Sequence, residues 1–201
     1  MFRGRTVIGI DDQIAFYLKV VFRDVSNPFR ASLDRAFLDF ARTIHYPNST
    51  KDVEKRAWRE NVYNQLFQKN TAFYPNVNTQ NGFNRWHNKL CSVVIDSFRT
   101  SNIKTLLTYG QTQKWLNMTL KYLFLLDNSF PCSIIPFLHV PIDNVILDVA
   151  KTDLGINRPP SAWSKWNTLE YIEFQKKLRG SIRSKYNGMV TPFEWEFKHW
   201  S

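Results

Sequence analysis

The sequence predicts an all-α protein, and three observations carry that prediction. Apolar residues recur at three- and four-residue spacing through most of the chain. Helix-start pairs, Asn27-Pro28, Ser49-Thr50 and Thr191-Pro192, precede several of those segments. Nowhere does a sustained alternation of polar and apolar residues mark a strand.

Taken in order, the first helix covers DDQIAFYLKVVFRDV, opens on an acidic cap and gathers Ile14, Tyr17, Leu18, Val21 and Phe22 on one face. Pro28 begins the second, with a stripe of Leu33, Phe37, Phe40 and Ile44. Ser49 or Thr50 caps a third, which runs through Trp58, Val62, Leu66 and Phe67. Residues 73–82, FYPNVNTQNG, are rich in turn formers and read as a loop. The fourth helix carries Trp86, Leu90, Val93, Val94 and Phe98 and ends near Arg99. A short helix over 102–108 and a tight break at Tyr109–Gly110 lead into a long helix that contains Lys114. Residues 127–141 are irregular, punctuated by Pro131, Pro136 and Pro141. A helix opens at Asp143 and runs through Val149. Beyond Pro160, Ser161 and then Thr168 open helices that extend through the basic stretch to Tyr186, and Thr191-Pro192 starts the last.

Bulk composition excludes several classes. At 201 residues with 43% hydrophobic content the chain can bury a core. Seven glycines and no Gly-rich phosphate loop argue against a nucleotide cofactor. No apolar stretch is long enough to span a bilayer, and the N-terminus lacks a secretion signal. A cytoplasmic address is expected. Cys91 and Cys132 are too few for a disulfide framework or an iron–sulfur cluster. His87 and Cys91 share a helical face, but two ligands do not make a metal site, and helical packing accounts for the cysteine. The net charge of +10 and pI near 9.7 point to a polyanionic partner, usually nucleic acid, with solvated helix faces as the alternative.

Chemistry concentrates around Lys114. The predicted short helix, Gly-bearing turn and second helix form a helix-hairpin-helix. Backbone N–H groups at Gly110, Gln111, Thr112 and Gln113 are placed to hold a DNA phosphate without reading sequence. Lys114, Asn117 and Lys121 form one polar stripe along the second helix, or simply its wet face. A lysine in a first helical turn meets the partially positive helix end, which favours the neutral, nucleophilic amine. Downstream, Asp143 follows Val140-Pro141-Ile142 at a helix start. It is a preferred N-cap, and a carboxylate so held can also stabilise positive charge on a sugar.

These residues resemble the helix-hairpin-helix DNA glycosylases. Their signature is a hydrophobic–Gly–x–Gly–x–Lys hairpin followed by a hydrophobic–Asp motif. Here it reads Tyr109-Gly110-Gln111-Thr112-Gln113-Lys114 and Val140-Pro141-Ile142-Asp143, the second being similar to the 8-oxoguanine branch. The resemblance spans about residues 102–150. Thr112 replaces the second hairpin glycine, and FPCSIIPFLH lengthens the Lys-to-Asp separation, as in archaeal 8-oxoguanine glycosylases. The cluster cysteines of the endonuclease III branch are missing. The resemblance implies a two-lobed helical fold with an interlobe cleft, one lobe from 30–136, ending in the hairpin at about 102–126, and the other from 1–29 plus 137–201. It implies a monomer on double-stranded DNA, without metal or nucleotide cofactor, in which Lys114 and Asp143 are catalytic. Trp115, Asn117 and His139 are base-pocket candidates. Lys121, Lys165, Lys176, Lys177, Arg179, Arg183 and Lys185 join the hairpin as backbone-contact candidates. Excision of a lesion and attack on hypermodified phage DNA both fit. A non-catalytic hairpin module or a basic RNA- or protein-binding protein are the rival readings.

Overall fold

The computed structural model describes residues 8–68, 74–103 and 105–199, and all regular structure among them is helical. Helix α1 spans Ile10–Phe22, α2 Pro28–Ala41, α3 Asp52–Gln68, α4 Gln80–Arg99, α5 Tyr109–Leu126, α6 Asn144–Leu154, α7 Thr168–Lys185 and α8 Pro192–His199. Short 3-10 turns occupy Cys132–Phe137, within the stretch expected to be irregular, and Trp163–Lys165.

Local chemistry sets most helix starts. Asn27 accepts from the Arg30 N–H at 2.9 Å ahead of Pro28, and Thr79 accepts from the Gly82 N–H at 3.1 Å ahead of α4. Asn167 caps α7 through the N–H groups of Leu169 and Glu170. Among the first four helices, two starts differ from expectation. Gly9 stands at the N-cap of α1, where the Asp12 carboxylate folds back to its N–H at 3.0 Å. Helix α3 begins beyond Ser49 and Thr50 because Glu54 reaches back to the Lys51 N–H at 2.7 Å. The Phe67 side chain and residue 73 lie outside the described residues.

Helix α5 is the axis of the molecule. Along one side it packs lengthwise on α2, and around it lie α4, α7 and the Trp163–Lys165 turn. Trp115 of α5 anchors this core. Its ring stacks on Phe40 at 5.0 Å, meets Phe37 edge-on at 5.2 Å and lies 5.5 Å from Trp58, while its indole N–H donates to the Leu33 carbonyl at 2.9 Å.

The expected hairpin is not formed. The described residues of 102–108 carry no helix, and Tyr109 and Gly110 are the first residues of α5 rather than a break before it. The cause is a capping box. Thr108 Oγ1 accepts from the Gln111 N–H at 3.1 Å, and Gln111 Oε1 accepts from the Thr108 N–H at 3.0 Å. Gly110 serves close approach instead of a turn. A Cβ there would sit 1.9 Å from the Trp163 carbonyl oxygen, and its N–H donates to the Trp166 carbonyl at 3.0 Å.

Helix α1 keeps only part of its predicted stripe, Leu18 and Val21 packing half-buried against the core beside Phe22. Phe22 is its buried residue, meeting Tyr122 edge-on at 5.3 Å, whereas Ile14 and Tyr17 are exposed. The helix packs on α2, and its core contacts come from Leu18, Val21 and Phe22 in its C-terminal half.

Candidate active site

Lys114 and Asp143, 29 residues apart, meet. The lysine Nζ donates to Asp143 Oδ2 at 3.0 Å, with the two side chains 12% and 13% exposed. Because α5 starts at Tyr109, Lys114 lies in the second turn. The helix-end field invoked from sequence acts mainly in the first. Asp143 is the N-cap of α6, its Oδ1 accepting from the Ile146 N–H at 3.0 Å. One carboxylate oxygen therefore fixes the helix, as the N-cap reading expected, and the other faces the lysine. The ammonium also lies 5.5 Å from the centre of the Trp163 ring.

The pair borders a cleft of about 360 Å³, lined further by Asp39, Arg42, Met118, Asn144, Val145 and Trp163. Asp39 is itself held in place, accepting from the Tyr122 hydroxyl at 2.9 Å and from Arg42 at 2.9 Å. The cleft thus offers a lysine amine, a fixed carboxylate, a guanidinium and an indole face around a space of small-ligand size.

Two glutamines hold the segment that carries Asp143. Gln113 donates to the Ile142 carbonyl at 2.9 Å and accepts from the Ile142 N–H at 3.1 Å. Gln175 does the same for Val140, donating at 2.6 Å and accepting at 3.2 Å. Each amide acts on the segment as a neighbouring strand would, and Pro141 between them has no N–H to satisfy.

Comparison of the chain with known protein families, with curated proteins and with solved structures returns no match. Among the described residues no three His, Cys, Asp or Glu side chains are grouped to hold a metal ion, and no helix is long and apolar enough to cross a membrane.

Most other predicted site residues lie elsewhere. Trp115 is core and does not line the cleft. Gly110, Gln111, Thr112 and Gln113 are buried: Gln111 donates to the Thr43 carbonyl at 2.5 Å and Thr112 to the Thr108 carbonyl at 2.9 Å. A phosphate has no path to their N–H groups, and Thr112 occupies a helical position where no second glycine is required. The stripe of Lys114, Asn117 and Lys121 is not a wet face. Lys121 is buried against Glu196 at 2.7 Å, where burial raises the glutamate's pKa and the lysine's charge lowers it. Arg179 donates to the carbonyls of Pro136 and Leu138 at 2.5 and 3.0 Å, and Lys185 pairs with Asp153 at 2.6 Å. Lys165, Lys176, Lys177 and Arg183 remain exposed.

Asn117 and His139 belong to a buried polar chain whose sense is fixed by backbone. Gln113 Oε1 accepts from Ile142, so it also accepts from Asn117 Nδ2 at 2.9 Å. Asn117 Oδ1 must then accept from His87 Nε2 at 3.0 Å, and His87 Nδ1 accepts from the Tyr109 hydroxyl at 3.1 Å. The second Asn117 Nδ2 hydrogen goes to the Tyr171 oxygen at 2.8 Å, so Tyr171 donates to His139 Nδ1 at 3.0 Å. His139 Nε2 then donates to Asn84 Oδ1 at 2.9 Å. Both histidines are held neutral. Burial pushes His87 down to about 4, and burial, with the Arg179 guanidinium, pushes His139 well below its ordinary value.

Proposed function

We propose that the protein is a DNA glycosylase that everts a damaged or modified base into the cleft beside Lys114 and breaks its N-glycosidic bond. The observation that carries this reading is the Lys114–Asp143 contact at 3.0 Å on the wall of a cleft, with Asp143 anchored by a helix N–H. In this reading the cleft separates a lobe built from residues 30–136, which supplies Lys114, from one built from 1–29 and 137–201, which supplies Asp143. Eversion costs a few kcal/mol of unstacking. Asp143 takes a proton from Lys114, and the freed amine attacks C1′ of the sugar. The C1′–N bond breaks and the base departs with its electron pair, taking up a proton. The carboxylate stabilises positive charge on the sugar in the transition state. The nitrogen then loses a proton and the C1′–O4′ bond breaks, O4′ leaving with its electron pair and taking up a proton. The resulting Schiff base at Lys114 opens the way to strand cleavage. The net charge of +10 supports a polyanionic substrate. The hairpin-based binding module loses its support, because the N–H groups it would use are buried.

Borohydride trapping tests the proposal on oligonucleotides carrying oxidised, deaminated, alkylated or hypermodified bases. The expected result is a covalent protein–DNA adduct, absent from Lys114→Gln. Base release that survives Lys114→Gln but not Asp143→Asn would indicate attack by water positioned on the carboxylate. Absence of base release across the whole panel would sink the enzymatic reading.

A further inference from the structure

A second recess, of about 320 Å³, lies at the other end of the segment that carries Asp143. Among its lining residues are Gln80, Asn84, His139, Gln175, Lys176 and Arg179. His139 and Asp143 are four residues apart, so the recess and the cleft are joined by a segment at most about 14 Å long. None of the catalytic chemistry described above uses this space.

The polar chain ends here, and its sense decides what the recess displays. Asn84 Oδ1 accepts from His139 Nε2 at 2.9 Å and from Gln80 Nε2 at 2.9 Å, so the Asn84 Nδ2 donors turn away from both. Gln80 Nε2 also donates to the Phe137 carbonyl at 3.0 Å, which fixes that amide with its Oε1 outermost. Asn84 Nδ2 and Gln80 Oε1 have no hydrogen-bond partner among the described residues, and both side chains are half-buried at the recess. Gln175 cannot complement them, because both ends of its amide are spent on Val140. The wall therefore presents one donor and one acceptor on two amides that meet at 2.9 Å, with a sense fixed through six side chains back to the Ile142 backbone. Lys176 stands exposed at the rim.

A planar group with an adjacent acceptor and donor complements that wall, and an anion beside it would meet Lys176. We infer that the recess is a second nucleotide site, in which Asn84 and Gln80 hold the edge of an unpaired base and Lys176 meets its phosphate. The site stands independently of the chemistry at Lys114. On a DNA-bound protein it would receive a second unstacked nucleotide, close enough to Asp143 for the two sites to sense each other through residues 139–143.

Calorimetric titration of the intact protein with each of the four deoxynucleoside 5′-monophosphates tests this. Saturable binding is expected below about 10 mM. Asn84→Asp should weaken it about tenfold or more, because it keeps the acceptor for His139 but sets an acceptor where the donor stood. Lys176→Gln should weaken nucleotides while leaving the corresponding nucleosides unchanged. Lys114→Gln should leave nucleotide binding unchanged within about twofold, so failure of the glycosylase proposal and failure of this one remain distinguishable. A thermal melt of Asn84→Asp that matches the parent excludes loss of fold as the cause. Four outcomes would overturn the inference: no saturable binding of any mononucleotide, equal binding by Asn84→Asp, binding abolished by Lys114→Gln, or N-acetylglutamine amide binding as tightly as the nucleotides. The last would assign the recess to a peptide.

Discussion

Gln113 shows how a single side chain can do a different job from the one its neighbourhood suggests. It sits next to Lys114, yet its amide is spent on the Ile142 backbone, the Gly110 carbonyl and Asn117. Gln113→Leu orphans a buried N–H and a buried C=O of Ile142, at about 1–3 kcal/mol each. We expect a loss of roughly 2–5 kcal/mol in urea unfolding, and a change below about 0.5 kcal/mol would show that the clamp contributes nothing. Lys114 and Asp143 were legible in the sequence because each obeys a local rule: an aspartate after a proline at a helix start, and an amine near the start of a largely apolar helix. Gln113 and Gln175 obey none. Their partners lie 29 and 35 residues away and are backbone atoms, which carry no residue-type signal. Trp163 and Asp39 escaped notice for the same reason, since only packing brings them to the cleft.

Among the elements, helices with strong caps were legible to within a residue or two. The start of α6 at Asp143, of α2 after Asn27 and of α8 after Thr191 followed from side chains that leave few alternatives. Helix α5 was misplaced because a glycine near a helix start can mean a turn or a close contact. The pattern Thr108-Tyr109-Gly110-Gln111, a capping box, was the overlooked cue. The distinction is testable with Gly110→Ala. A flexible turn would accept the methyl group, whereas here it must push the Trp163 carbonyl aside. Overpacking of that kind costs about 1–3 kcal/mol, read as a lowered melting temperature. Because Trp163 lines the cleft and packs by Lys114, tryptophan emission should shift in the same variant.

At the scale of the whole molecule, acid is the expected weak point. His87 and His139 are neutral in the fold and protonate readily when unfolded, near 6.5. With the folded values depressed, the unfolded chain binds more protons below pH 6.5. The stability these groups confer is present above that pH and is lost as pH falls towards 4. For two such sites the slope approaches about 2.7 kcal/mol per pH unit. Urea midpoints measured from pH 7 to pH 5 should fall accordingly, and a flat profile would mean that the buried histidines titrate in the native protein as they do in the unfolded chain.

The placement of α5 has a temporal consequence. Its partners include Leu33, Asn27's helix α2 and Asp39 ahead of it in the chain, but also Asp143, Trp166, Tyr171 and Glu196 after it. During synthesis the helix leaves the ribosome about 70 residues before Glu196 does. At 5–20 residues per second it waits roughly 4–14 s for its last partner. For that interval Lys121 lacks its carboxylate, whereas Gln113 waits only for Ile142, 29 residues after it. The axis of the molecule is made after one set of its partners and well before the last of the other.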